Sequence, residues 1–184
     1  MYRNCTQEKA VFMQKKYEQC LLELLSERPY AEVTINDICA RMGTSRKSFY
    51  HFFKNKQGCL CALIDRLFFE FLDFQTPEHV DLKGYPRRLI NQMLYQMEKQ
   101  DVMEVLIRND LFGLLIDRLV ICIKENTIVK ANMADTFEED AILFYMCGVM
   151  AVRRSWHESG YQRSIYEVAE SISRLATPQM LENW

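Results

Sequence analysis

Arg46, Lys47, Ser48, Tyr50 and His51 gather two fixed cations, two hydroxyls and an imidazole within six consecutive positions. A guanidinium donates a fork of parallel hydrogen bonds, an ammonium donates as a compact charge, and hydroxyls donate or accept in turn. Such a set suits a surface dense in anionic oxygens and paired acceptors. Turnover would need positioned acids, bases or an activated nucleophile, and none is visible. Phe49 and Phe53 are interleaved with the polar residues. On a helix they lie four apart and share an inward face, leaving Arg46, Lys47, Ser48 and Tyr50 free.

The residues before this cluster position it. Thr34 with Asp37 three residues on reads as a capping box opening a short helix. Ile38 and Met42 share that helix's apolar face. Gly43 follows, where a left-handed residue would end the helix. Ser45 then caps a second, very short helix. Two short helices around a glycine turn, the second carrying exposed donors, make a helix-turn-helix, whose second helix enters the DNA major groove.

The stretch Thr34 to Lys56 resembles the amino-terminal domain of the tetracycline-repressor (TetR) family of transcriptional regulators. The resemblance rests on Thr34, Ile38-Cys39, Gly43-Thr44-Ser45, Phe49-Tyr50, Phe52-Phe53 and Lys56. Cys39 stands where the family has a small Ala. Gly58 and Cys59 stand where it more often has an acidic residue and a Leu, which predicts a weaker start to the following helix. The resemblance implies DNA contact at Thr34, Asn36, Ser45, Arg46, Lys47, Ser48, Tyr50, His51 and Lys56. Arg46 and Lys47 are the candidates for guanine readout through its two acceptors. Tyr50 and His51 would meet the backbone, and Lys56 a phosphate at the positive end of the fourth helix.

Charge follows the same division. Through Lys56 there are ten Lys and Arg against six Asp and Glu, and beyond it thirteen against nineteen. A basic head on an acidic body suits a protein that sets one end on a polyanion. Six Gly and four Pro in 184 residues favour helices over many short strands. The expected fold is all-α with about nine helices: a helix-turn-helix domain over 1–56 and a ligand-binding and dimerisation domain over 57–184.

The helices can be placed in order. Thr6 to Ser26 is amphipathic, and Pro29 helps to end it. Asn55 caps a fourth helix that runs to Phe71. A fifth begins near Pro86. Asp101 caps a sixth and Asp110 opens a seventh. Thr136–Glu139 and Ser164–Glu167 are capping boxes that open the eighth and ninth, with Gly160 closing the eighth.

One recognition helix reads few base pairs, so such heads pair across two half-sites. Ile142, Tyr145, Val149, Val152 and Trp156, with Ile165, Val168, Ala169 and Ile172, recur at helical spacing. They are the expected homodimer seam, with intrachain core on another face of the same stripe and Gly148 and Ala151 letting another helix approach closely; a palindromic duplex operator is the expected partner. The resemblance also implies an effector pocket. Met93, Met97, Met103, Phe112, Phe144, Cys147 and Met150 are adaptable enough to line one for a small apolar or amphipathic molecule. Ligand-released repression is the implied mode, with activation as the other sign.

Seven Cys, an odd number with no Cys-x-x-Cys, together with the polar start, point to free thiols in a reducing cytoplasm. No uncharged run reaches the ~18 residues that span a membrane. A redox-sensing regulator with the same head is the alternative, with Cys59 and Cys61 beside Lys56 as its sensors. No cofactor, metal site or enzyme motif is expected: Gly-x-Ser-x-Gly, the phosphate loop, His-Glu-x-x-His and the dinucleotide fingerprint are all missing.

Overall fold

The computed structural model describes residues 2–3, 5–74, 87–126 and 139–175. Among these the regular structure is helical: α1 Glu8–Glu27, α2 Ile35–Met42, α3 Arg46–Phe52, α4 Lys56–Asp73, α5 Arg87–Glu98, α6 Gln100–Arg108, α7 Phe112–Glu125, α8 Glu139–Glu158 and α9 Ile165–Leu175. The fold is all-α, as expected. No described helix is long and apolar enough to cross a membrane. The chain divides into two compact units. The first comprises Met1–Leu67 with Asp101–Leu115, and the second Phe68–Gln100 with Ile116–Trp184.

In the first unit α1 buries Tyr17, Cys20, Leu21, Leu24 and Leu25, the three-to-four spacing of an amphipathic helix. It ends where Arg28 turns extended ahead of Pro29. Glu18, on the same buried face, pairs with Arg66 at 2.7 Å. That pair is low in solvent, so removing one partner would strand the other charge. Asn109, just past α6, ties the unit together. Its Nδ2 donates to Leu25 O at 3.0 Å, and its Oδ1 accepts from Tyr30 N at 2.6 Å.

Asp110 does not open α7 as its position predicts. It adopts φ 53°, a left-handed end to α6, and Leu111 N closes the turn on Leu106 O at 2.9 Å. Asp tolerates that region better than most residues with a side chain, so it can stop a helix as well as start one.

In the second unit α9 packs on α5 and α8. Ile90, Met93, Ile123, Tyr145, Val149, Trp156, Val168 and Ile172 belong to one buried cluster. Gly160 ends α8 with φ 68°. Tyr161 N reaches back to Trp156 O, and Trp156 Nε1 donates to Arg163 O at 2.9 Å. The Ser164–Glu167 box opens α9: Ser164 N donates to Glu167 Oε2, and Glu167 N to Ser164 Oγ. Thr136, the expected cap of α8, lies outside the described residues.

Candidate nucleic-acid interface

The turn between α2 and α3 is fixed at each step by local chemistry. Thr34 Oγ1 accepts from Asp37 N at 3.2 Å, and Asp37 Oδ2 accepts from Thr34 N at 2.8 Å, the reciprocal box read from the sequence. The Thr34 bonds, with Arg28 at 3.0 Å behind them, hold the Asp37 carboxyl at about 2. Gly43 takes φ 62°, and Thr44 N closes on Cys39 O at 2.9 Å. A side chain at Gly43 would meet no neighbour, so the glycine is required by its backbone angle. Ser45 Oγ then accepts from Ser48 N at 3.1 Å and opens α3.

Helix α3 is only seven residues long, too short to persist alone. An aromatic cluster beneath it holds it in place. Tyr17 of α1 is fully buried, with the rings of Phe49, Phe52 and Phe53 at 5.6, 5.8 and 6.0 Å. Its hydroxyl donates to Thr44 Oγ1 at 2.8 Å and so fastens the turn as well. Each aromatic pair adds about 0.5–1.5 kcal/mol beyond burial.

The opposite face of α3 carries Arg46, Lys47, Ser48, Tyr50 and His51, all exposed. Arg46 Nη2 donates to Tyr50 Oη at 3.1 Å, with the guanidinium 5.7 Å from the ring centre. That contact presets the guanidinium while leaving most of its donors unused. Asn36 is exposed near the start of α2. The hydroxyls of Thr34, Ser45 and Ser48 are engaged in caps yet lie at the exposed end of each helix.

Lys56 is placed differently from the outward cation read in the sequence. Its ammonium donates to Tyr30 O and, at 2.6 Å, to Val33 O, and it sits 3.9 Å from the centre of the Tyr30 ring. It is half-buried, and burial pushes its pKa down. The carbonyls that end the α1–α2 connection draw the charge inward. Lys56→Ala is therefore expected to cost the fold about 1–3 kcal/mol, because it leaves buried acceptors unpaired. Lys47→Ala should stay within about 0.5 kcal/mol of the parent. Urea denaturation of the two variants separates them, and equal midpoints would mean that Lys56 holds nothing.

The start of α4 is not weakened by Gly58 and Cys59. Asn55 Oδ1 caps it from Gly58 N at 2.8 Å, and Cys59 is fully buried. That burial pushes the Cys59 thiol well above its ordinary range, and Cys61 is buried too. A redox sensor needs an accessible thiolate, so neither has the setting the redox alternative requires.

Arg3 escaped the sequence reading. Its N–H donates to Phe52 O at 2.8 Å, and its Nη1 lies 3.1 Å from His51 Nε2. Tyr2 is bridged to Phe53, and its hydroxyl is bonded to Asp65. The arm so held adds an exposed cation at the carboxy-terminal end of α3. No periodicity signals a residue fixed by backbone bonds to a distant segment.

Of the two roles read for the second-unit stripe, the core is what the single chain displays. Tyr145, Val149, Trp156, Val168, Ala169 and Ile172 are buried within the unit, with Val152 and Ile165 packed against them, so this stripe is intrachain core. The side chain of Ile142 lies outside the described part. The exposed apolar side of α8 and α9 is the neighbouring stripe: Leu143, Phe144 (68% exposed), Cys147, Gly148, Ala151 and Leu175 (74%). A groove of about 170 Å³ runs there, lined by Phe144, Tyr145, Gly148, Val149, Val152, Ile172 and Leu175.

The seven residues named for a pocket divide between the two units. Met93 and Met150 are buried in the second unit, and Met103 and Phe112 in the first, while Met97, Phe144 and Cys147 are exposed. Buried Met and Phe at helical spacing pack as core before they line anything.

Residues 21–63 match the family model described as bacterial regulatory proteins, tetR family. That span runs from the second half of α1 through α2, the glycine turn and α3 into α4. Over these residues the chain is similar to the TetR family of transcriptional regulators. The HTH-type transcriptional regulator EthR of Mycobacterium tuberculosis is 39% identical over 44 residues, which cover 24% of this chain and 20% of that protein. EthR of Mycobacterium bovis matches to the same extent. The chain thus spans about a fifth of the length of these curated relatives. Among solved structures, the dihydroxyacetone kinase operon activator DhaS is similar with a TM-score of 0.55 at 16% identity, covering 92% of this chain and 97% of that one. This last likeness is one of fold.

Proposed function

We propose that the protein is a TetR-family regulator that binds a palindromic duplex operator as a homodimer, and that a small apolar or amphipathic effector releases it, so that it acts as a repressor. One observation carries the DNA reading. The short α3 is clamped from below by Tyr17, Phe49 and Phe53, and it presents Arg46, Lys47, Ser48, Tyr50 and His51 to solvent together. A rigid rod with an unburdened cationic side is what a major groove accepts, and its donors match the paired acceptors of guanine. Pairing of two copies is supported by the exposed apolar side of α8 and α9, where Leu143, Phe144 and Leu175 are left to solvent. Release by a ligand follows from linkage: an effector that prefers the conformer with misplaced recognition helices withdraws the protein from DNA.

Selection of bound fragments from a genomic library, followed by mobility-shift titration, tests the reading. The parent is expected to enrich an inverted repeat. Arg46→Ala is expected to lose about 1–3 kcal/mol on it and to relax base choice at one position in each half. Failure to enrich any sequence, or an Arg46→Ala variant that binds like the parent, would sink the assignment of this face.

A further inference from the structure

We propose that the second unit contains a buried anion site built on Arg153 of α8, and that it takes the carboxylate of a small, mostly apolar monoacid. Helix α8 carries a second inward stripe, Met146, Met150, Arg153 and His157, at three-to-four spacing. Met146, Met150 and Arg153 are all at least nine-tenths buried, Arg153 at 2% exposure. The stripe meets Gln96 of α5: Gln96 Nε2 lies 3.9 Å from Met150 Sδ, and Gln96 O accepts from Arg153 Nη2 at a long 3.4 Å.

Among the described residues that is the one bond the guanidinium donates. Its Nη1 is buried without a partner, and no described carboxylate pairs with it. Burial pushes its pKa down to about 10, so the group stays charged at neutral pH. Gln96 Oε1 and His157 Nδ1 are also buried and unpartnered. Three polar atoms left open on facing helices of one unit mark a place prepared for something. Charged side chains are almost never fully buried unless paired, because a lone interior charge is costly. Gln96 alone cannot remedy this, since an amide supplies a hydrogen bond but no opposite charge.

The chemistry of these unpartnered atoms names the occupant. One cation with no second beside it balances one negative charge, which favours a monoanion over phosphate. A planar guanidinium fork matches the two oxygens of a carboxylate. Met146 and Met150, flexible and apolar, suit a hydrocarbon or aryl remainder. The inference rests on the reading of the second unit as the effector-receiving part, and it narrows that effector to an acid.

Calorimetric titration of the full chain with butyrate, octanoate and benzoate, against their neutral amides and inorganic phosphate, tests it. At least one acid should bind at least ten-fold more tightly than its amide and raise Tm in a saturable way. Arg153→Met should lose that binding at least ten-fold while melting no lower than the parent, since it removes an uncompensated charge. Arg153→Lys, which keeps the charge and loses the fork, should bind the acid several-fold more weakly. The site is refuted if no acid outbinds its amide, if phosphate binds best, or if Arg153→Met and Arg153→Lys bind as the parent does. Operator binding is scored separately by mobility shift. An operator-binding protein that takes no acid loses only this inference. One that takes the acid but is not moved on DNA keeps the site and loses the effector reading.

Discussion

Phe144→Glu and Gly148→Glu are each expected to make the protein monomeric and to weaken binding to a paired-half-site operator by about 10²–10⁴-fold, the gain that linking two weak sites normally brings. Phe144 is 68% exposed on α8 and lines the groove shared with Leu175 of α9. An exposed phenylalanine beside an exposed leucine, across a groove floored by Val149 and Ile172, is a surface that a second copy would cover. Gly148 sits in the same groove, and a Cβ built on it meets nothing within 4 Å. The single chain therefore tolerates a side chain there, and the helix gains from it, since interior glycine costs about 0.5–1 kcal/mol relative to alanine. The two variants thus separate assembly from folding: Gly148→Glu should melt no lower as a monomer while its sedimentation and operator affinity collapse. Binding to a single half-site at low salt should change little. A dimeric Gly148→Glu protein in sedimentation equilibrium would place the pairing surface elsewhere.

The helix-turn-helix was legible because it is written in short-range rules. Thr34 and Asp37, Gly43, and Ser45 with Ser48 each act within a few residues, and each appears in the structure with the bond its spacing implies. Phe49 and Phe53 were readable as inward for the same reason. What was not readable depends on partners distant in sequence. Helix α8 has two inward stripes, Tyr145–Val149–Val152–Trp156 and Met146–Met150–Arg153–His157, and periodicity cannot say which neighbour each one meets. The first was read as seam and core at once and is buried within the unit, while the exposed side carries Gly148 and Ala151, read for close approach, and Phe144 and Cys147, read for a pocket. Lys56 was read as meeting a phosphate because the resemblance implies it and it stands at the positive start of α4. Only the carbonyls of Tyr30 and Val33, more than twenty residues upstream, turn it inward. Glu18 and Arg153 escaped for the same reason: composition counts a charge as surface until a structure buries it.

Tyr17→Ala is expected to cost the first unit about 3–5 kcal/mol, the usual loss for a buried aromatic truncated to alanine. That is a large part of the about 5–15 kcal/mol by which domains are stable. The magnitude follows from what Tyr17 touches. It is fully buried, its ring meets Phe49, Phe52 and Phe53, and its hydroxyl fixes Thr44 in the turn. A seven-residue recognition helix has no stability of its own to fall back on. Operator binding should therefore fall further than for any single residue on the exposed face, although Tyr17 points away from it. Tyr17→Phe isolates the hydroxyl and should cost about 0.5–1.5 kcal/mol. It should also remove an alkaline weakness. Burial raises the Tyr17 pKa, so its contribution is complete below the ordinary tyrosine value of about 10 and is lost as pH rises toward the folded value. Urea titrations at neutral pH and again above pH 10, with the parent and both variants, measure all three quantities. If Tyr17→Ala shifts the neutral-pH free energy by less than about 1 kcal/mol, the aromatic cluster is not what holds the recognition helix, and its rigidity must come from the caps alone.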